Sequence, residues 1–423
     1  MRIADVTALQ IYDSRGNPTI ETRVTLDNGV IGDGLVPSGA STGQFEAHEL
    51  RDGGDSFHGK AVYQAVQNVQ GEIAEAVRGL DVSDQVQLDE TLIQLDGTPN
   101  KSRLGANAIL SVSMANARAA ANARGVPLFR SLGNGHLLPL PEIQLIGGGA
   151  HANWATDVQD FMIVANGAES YEQALEWTFN VYHAAGDILG ESGKRFGLAD
   201  EGGFWPALKS NGEAFDICLQ AIERAGLRPG DDVSLSLDIA ASDLYADHRY
   251  HFRSENRTFD RPEFFELMRS WCEQYPIVSI EDPFADIDNE NWKKLTSSIG
   301  KRMQLIGDDL FVTNVERIRF GIAQKLANAV LIKLNQIGTV TETINAIRLT
   351  QKAGWRPVVS ARSGETEDAF IAHLAVATNA GQLKVGSFAR SERMVKWNEV
   401  LRIARDLGDE AHFDAGIIDL APR

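Results

Sequence analysis

Cysteine, positive charge and long apolar runs are the scarce features of this chain. Its 423 residues include two cysteines, Cys218 and Cys272. Neither sits in a metal-ligand spacing or a CxxC pair, so a disulfide framework is excluded and both read as buried thiols. Forty basic residues face 58 acidic ones, a formal charge of −18. That balance argues against nucleic acid or an anionic membrane as the main partner. It leaves room for a small anionic ligand at a local cluster of Arg, Lys or metal. No stretch approaches the ~18 apolar residues of a membrane span. The opening "MRIADVTALQIYDSRGNP" lacks the apolar centre of a signal peptide, so the expected location is cytoplasmic. No glycine-rich dinucleotide fingerprint follows any strand, which weighs against a Rossmann domain.

What is present is the composition of an ordinary globular protein, 43% hydrophobic and 23% charged. The length suits two domains, or one large barrel with a smaller companion. "TIETRVTL" alternates Ile20, Thr22, Val24 and Leu26 with Glu21, Arg23 and Thr25, and Asp27-Asn28-Gly29 supplies a turn into the next strand. From about residue 60 the pattern becomes helical. The Ala-rich "RLGANAILSVSMANARAAANARG" predicts a helix from near Arg103 to Gly125. Residues 1–135 therefore read as an α+β domain, strands first and helices after.

Residues 136–423 change character. Short apolar runs at 232–238, 277–282, 303–309, 329–335, 356–362 and 381–387 alternate with amphipathic patterns such as "PEFFELMRSWCEQY" and "TVTETINAIRLTQKAG". Continuous apolar strands separated by such helices are buried parallel strands in βα units, and their repetition predicts a β/α barrel. Each run ends in a polar residue: Asp238, Glu281, Asp308, Lys333, Ser360 with Arg362 and Ser363, then Lys384. In a parallel barrel such ends converge on one face.

A carboxylate at a strand end is commonly a helix cap or a turn residue. Three in successive units repel one another unless protonated or bound to a cation, and oxygen ligands suit a hard ion such as Mg²⁺. Lys333 and Lys384 read either as buried salt-bridge partners or as working cations. A lysine near other cations and partly desolvated has a depressed pKa and can act as a general base. Three further segments have two readings each. "VPSGASTGQFEAHEL" is an ordinary loop or one able to fold over a ligand. His151, after a glycine triplet and ahead of Gln159-Asp160, is a surface or a site residue. Asp200-Glu201 before Gly-Gly is a turn or an acid.

The motifs "SRGNPTIE", "GASTG…EAHELRD", "GANAILSVS", "GGAHAN", "DEGGF", "SIEDPF", "GDDLFVTN", "IKLNQIGT", "RSGETED" and "GQLKVGS…RSER" stand in this order along the chain. With them the sequence resembles the enolase (phosphopyruvate hydratase) family over essentially its full length. The resemblance implies an N-terminal α+β domain followed by a (β/α)8-type barrel, and a homodimer or larger assembly. It implies conversion of 2-phosphoglycerate to phosphoenolpyruvate with two Mg²⁺ ions, the second arriving with the substrate. By motif, Asp238, Glu281 and Asp308 match the carboxylates of the first metal, and Ser41 lies on the loop that binds the second. Lys333 matches the base that removes the α-proton, and Glu201 the acid that helps the 3-hydroxyl leave. Arg362 and Ser363 match phosphate binders, Lys384 the carboxylate-side cation, and His151 and Gln159 further substrate positions.

The chain departs from the family pattern at Ala361 (for His), Asp160 (for Glu, in the catalytic set), Phe45 (for His), Gly147 (for Asn), Ala199 (for Gly) and His373 (for Asp). The departures fall on loops and on the side that handles the 3-hydroxyl. Two alternatives follow. One is a relative with a phosphonate-type substrate, forming carboxyphosphonoenolpyruvate. The other is a non-catalytic metal-binding protein. His48 and His373 are the imidazoles available to replace the one missing at 361.

Overall fold

The computed structural model describes residues 1–39 and 43–418. The chain opens with an antiparallel meander of strands Ile3–Tyr12, Pro18–Leu26 and Ile31–Leu35. The predicted alternation holds in the second strand, where Ile20, Thr22, Val24 and Leu26 are buried and Arg23 is exposed. The Ala-rich helix Ala106–Arg124 lies across this sheet. It begins at Ala106 rather than Arg103, because Gly105 takes φ 98° and only then turns the chain into the helix. It ends as expected at a left-handed Gly125. Strand and helix press together at Gly34, where a Cβ would stand 2.4 Å from the Ser111 carbonyl oxygen.

Among the described residues, eight strands then close into a barrel. In order they are Leu140–Gly147, Asp160–Val164, Ser234–Asp238, Ile277–Glu281, Gln304–Gly307, Ala329–Ile332, Arg356–Ser360 and Gln382–Gly386. The last pairs in parallel with the first, Lys384 opposite Glu142, which completes the ring. The second strand runs antiparallel to both of its neighbours, so the barrel starts with a reversed strand before the βα repeats begin. The six apolar runs read from the sequence coincide with strands three to eight. The amphipathic patterns between them form the helices Arg261–Gln274, Val315–Gln324, Val340–Lys352 and Phe370–Ala377.

The N-terminal unit reaches the barrel through buried polar contacts. Arg118 forks onto Asp368 at 2.7 and 3.0 Å, and Asp89 accepts the Thr341 N–H at 2.9 Å. Arg15 Nη1 donates to Ser363 Oγ at 3.3 Å, and Ser38 bridges to Gly364. These contacts set the first domain against the open end of the barrel, where the polar strand ends emerge. Among the described residues no helix is long and apolar enough to cross a membrane.

Candidate active site

The strand ends meet in one cleft. Gln159, Asp160, Glu201, Asp238, Asp308, Lys333, Arg362, Ser363 and Lys384 line it. Ala361 lies between Ser360 and Arg362 in the same lining. Glu281 is fully buried and joins the group through Lys384, whose Nζ lies 2.9 Å from both Asp238 Oδ2 and Glu281 Oε2. Asp160 Oδ2 is 3.6 Å from the same nitrogen. His151 falls in the turn Gly149–Ala152 that leads toward Gln159. Ser41 lies outside the described residues.

Register explains the convergence. Asp160, Asp238 and Glu281 are direct cross-strand partners in adjacent barrel strands. Their side chains therefore stack along one rim. Burial, then the neighbouring Asp238, push the Glu281 carboxyl well above the carboxylate range. Asp238 is held below its usual value against its own burial, chiefly by Lys384. The repulsion between these two adjacent buried carboxylates therefore falls on Glu281, while Lys384 offsets it at Asp238.

Lys333 corrects one expectation. Its ammonium was expected to be depressed by desolvation. Burial does pull it down, but Asp308, whose Oδ2 lies 2.5 Å from Nζ, outweighs that and raises it. Lys333 is also held from behind: its N–H donates to Thr313 Oγ1 at 2.9 Å, and Thr313 in turn donates to Gln336 at 2.8 Å. Val312 and Thr313 both adopt positive φ, 43° and 56°, a strained backbone for β-branched residues. The strain sits where the structure anchors its candidate base.

The carboxylates expected to converge for a metal were Asp238, Glu281 and Asp308. In the structure the oxygens that lie within 4.8 Å of one another belong to Asp282, Asp308 and Asp309. Asp282 accepts the N–H groups of Asp308 and Asp309 at 3.0 and 2.8 Å, so it shapes that loop. Burial and Asp308 push Asp309 up to about 7. Asp308 belongs to both sets. Glu281 Oε1 is buried without a hydrogen-bond partner. An oxygen in that position costs free energy unless something positive meets it, and a hard cation fits the requirement. The acidic cluster can therefore hold a divalent metal.

Several site residues were not read from the sequence: Asp282, Asp309, Gln144, Gln336 and Glu46. Glu46 Oε2 takes a hydrogen bond from Arg362 Nη1 at 2.9 Å, and Asn335 Oδ1 takes another at the same distance. The doubled aspartates in "GDDLF" and the polar Gln inside "LPEIQLIG" were the available signals.

The departing positions also have structural partners. A Cβ at Gly147 would stand 2.4 Å from the Ala199 Cβ. Glycine at 147 and alanine at 199 thus fill one small volume between them. Phe45 stacks under Arg317, 3.9 Å from guanidinium to ring centroid. His373 does not replace the imidazole missing at 361. It sits on the helix Phe370–Ala377, bonded to Glu399 at 3.2 Å and stacked on Phe129. His48 is exposed and does not line the cleft.

Comparison with known proteins decides the family. The profile "Enolase, N-terminal domain" matches residues 3–132, and "Enolase, C-terminal TIM barrel domain" matches residues 135–419. The chain belongs to the enolase family. It is 52% identical over 417 residues to "Enolase 1" of Desulfitobacterium hafniense, covering 97% of this chain and 95% of that relative. It is 53% identical to "Enolase" of Acidothermus cellulolyticus, covering 98% and 96% of the two chains. At that identity, the altered positions are local changes within an enolase framework.

Proposed function

We propose that this enolase-family chain is a hydro-lyase that dehydrates 2-phosphoglycerate to phosphoenolpyruvate, with Lys333 as base and Glu201 as acid. The observation that carries the reading is the single cleft in which Lys333, Glu201, the acidic strand ends and the Arg362-Ser363 pair face one another. The identity to proteins named as enolases favours this over the phosphonate-type substrate and over a non-catalytic role.

Asp238, Glu281 and Asp308 would hold one Mg²⁺, and a second would enter with the substrate, with Ser41 among its ligands. Bound there, the ions supply positive charge for the substrate carboxylate and offset the acidic field of the cleft. Arg362 and Ser363 receive the phosphate. Lys384, Gln159 and His151 bind and orient the rest of the substrate. Lys333 first releases to solvent the proton that Asp308 helps it hold, and its neutral amine then takes the proton from C2. Glu201, with Asp160 beside it, protonates the 3-hydroxyl as it leaves. Lys333 and Glu201 open on the same cleft, as a base and an acid working on adjacent carbons must. The working form is a cytoplasmic homodimer or higher homo-oligomer, to which "SRGNP" and "RSER" are expected to contribute.

Formation of phosphoenolpyruvate from 2-phosphoglycerate with Mg²⁺ tests the reading, with turnover expected in the ordinary enzyme range of roughly 1–10³ s⁻¹. Lys333→Ala should abolish exchange of the C2 hydrogen with D₂O while Mg²⁺ binding persists. Exchange that survives the substitution removes Lys333 from the role of base.

A further inference from the structure

Gln144 occupies the middle of the first barrel strand, inside the barrel, and is completely buried. A buried amide must satisfy both ends. Its Nε2 donates to Asp160 Oδ1 at 2.5 Å, and its Oε1 accepts the Gly203 N–H at 2.8 Å. The orientation is forced. Reversed, the amide would set Oε1 against the Asp160 carboxylate and Nε2 against the Gly203 N–H.

The two partners belong to different parts of the cleft. Asp160 ends the approach to the second strand, 3.6 Å from Lys384. Gly203 lies two residues after Glu201, in a tight turn closed by Ala199 N–H to Gly203 oxygen at 2.8 Å. The approach is close: a Cβ on Gly203 would stand 2.5 Å from Gln144 Oε1. Asp160 is one methylene shorter than the Glu of the family pattern, so its carboxylate sits nearer the strand. Gln144 is long enough to meet it there.

We infer that Gln144 is a positioning residue that sets the Asp160 carboxylate and the Glu201 turn at a fixed spacing for elimination of the 3-hydroxyl. The inference rests on the proposed function in assigning Glu201 and Asp160 to that step. Lys333 stands outside this linkage, on the strand Ala329–Ile332 side of the cleft, held by Thr313 and Asp308. Gln144 therefore acts on the second half of the reaction and not on proton removal. Displacement of a reacting group by about 1 Å can cost ~10²-fold.

The test uses the full chain with Mg²⁺ and 2-phosphoglycerate. Gln144→Asn shortens the amide by one methylene. Its kcat for phosphoenolpyruvate formation should fall about 30–100-fold, with KM and C2-hydrogen exchange into D₂O each within about threefold of the parent. Adding Asp160→Glu to Gln144→Asn returns the lost methylene from the other side and should recover at least about tenfold. A kcat within about threefold of the parent, a parallel fall of exchange and turnover, or a double variant no better than the single each overturns the inference. Amide hydrogen exchange of the segment 199–206 reads the same linkage without activity. It should speed up at least about tenfold in Gln144→Leu and less in Gln144→Glu, which keeps an acceptor for the Gly203 N–H but sets a second carboxylate oxygen against Asp160. If the Leu variant does not fold, the Asn and Glu variants carry the measurement. Equal exchange in all variants overturns the positioning role. A parent that does not turn over 2-phosphoglycerate overturns the proposed function instead, and the amide exchange still decides whether Gln144 holds the turn.

Discussion

Lys384 and Lys333 close the same cleft from two strands of the same barrel, and their surroundings divide their work. Lys384 Nζ touches Asp238 and Glu281 at 2.9 Å and lies 3.6 Å from Asp160. Lys333 has one carboxylate in contact, Asp308. Burial disfavours both ammonium groups. Around Lys384, Asp238 and Glu281 outweigh it so far that the group is pushed well above the lysine range, while Lys333 is raised with fewer partners. The first lysine holds the rim together. The second is held by a hydroxyl behind its backbone and one carboxylate in front, an arrangement that a ligand or cation at Asp308 can loosen. Two lysines of one cleft take different parts because the number of carboxylates facing them differs.

The sharpest way to break this comparison is to remove each cation in turn. Lys384→Met removes the cation shared by Asp238, Glu281 and Asp160 and should cost on the order of 3–5 kcal/mol in urea unfolding. Lys333→Met should cost less than about half of that, because Asp308 retains Gln336 at 2.7 Å. Equal losses would end the distinction between a structural and a working lysine. A smaller effect sharpens the Lys384 side. Gly147→Ala places its methyl against Ala199 and should cost about 1–3 kcal/mol. Ala199→Gly in the same chain should restore most of it, and a double variant that merely adds the two losses would show that the positions do not share one volume.

The smallest effect sets the scale for an ion pair away from the cleft. The bond from His373 holds Glu399 at about 2, with Arg402 adding to it. The folded value is depressed, so the stabilisation is present above the unfolded value of about 4.5 and is lost as pH falls from there toward about 2. Glu399 is about half-buried, so Glu399→Gln should cost less than about 1 kcal/mol at neutral pH. The difference from the parent should disappear near pH 2. A difference that persists there would assign the stability to packing rather than charge.

Most of the barrel was legible because parallel strands buried on both faces are written as unbroken apolar runs. Asp238, Glu281, Asp308, Lys333 and Lys384 stood out for the same reason, each a charge at the end of such a run. Ile3–Tyr12 and Leu140–Gly147 were not assigned as strands. The second carries Pro141, Glu142 and Gln144, and polar residues pointing into a barrel break the pattern that marks a strand. Gln144 and Glu46 escaped notice because their partners are remote: Asp160 lies 16 residues from Gln144, and Arg362 lies 316 from Glu46. A polar residue reveals its purpose only when its partner is in place.

The chain's own order of residues determined the alternation of apolar runs and helices, the charges at strand ends and the motifs that mark the enolase family. These are local properties, set by periodicity and by residue chemistry at each position. Tertiary structure alone decided which carboxylates meet, that Lys384 bridges two of them, that Lys333 is raised rather than lowered, and that Gly147 and Ala199 answer one another. Each of these depends on distances of a few ångströms between strands far apart in sequence, and electrostatic and packing energies change steeply over that range.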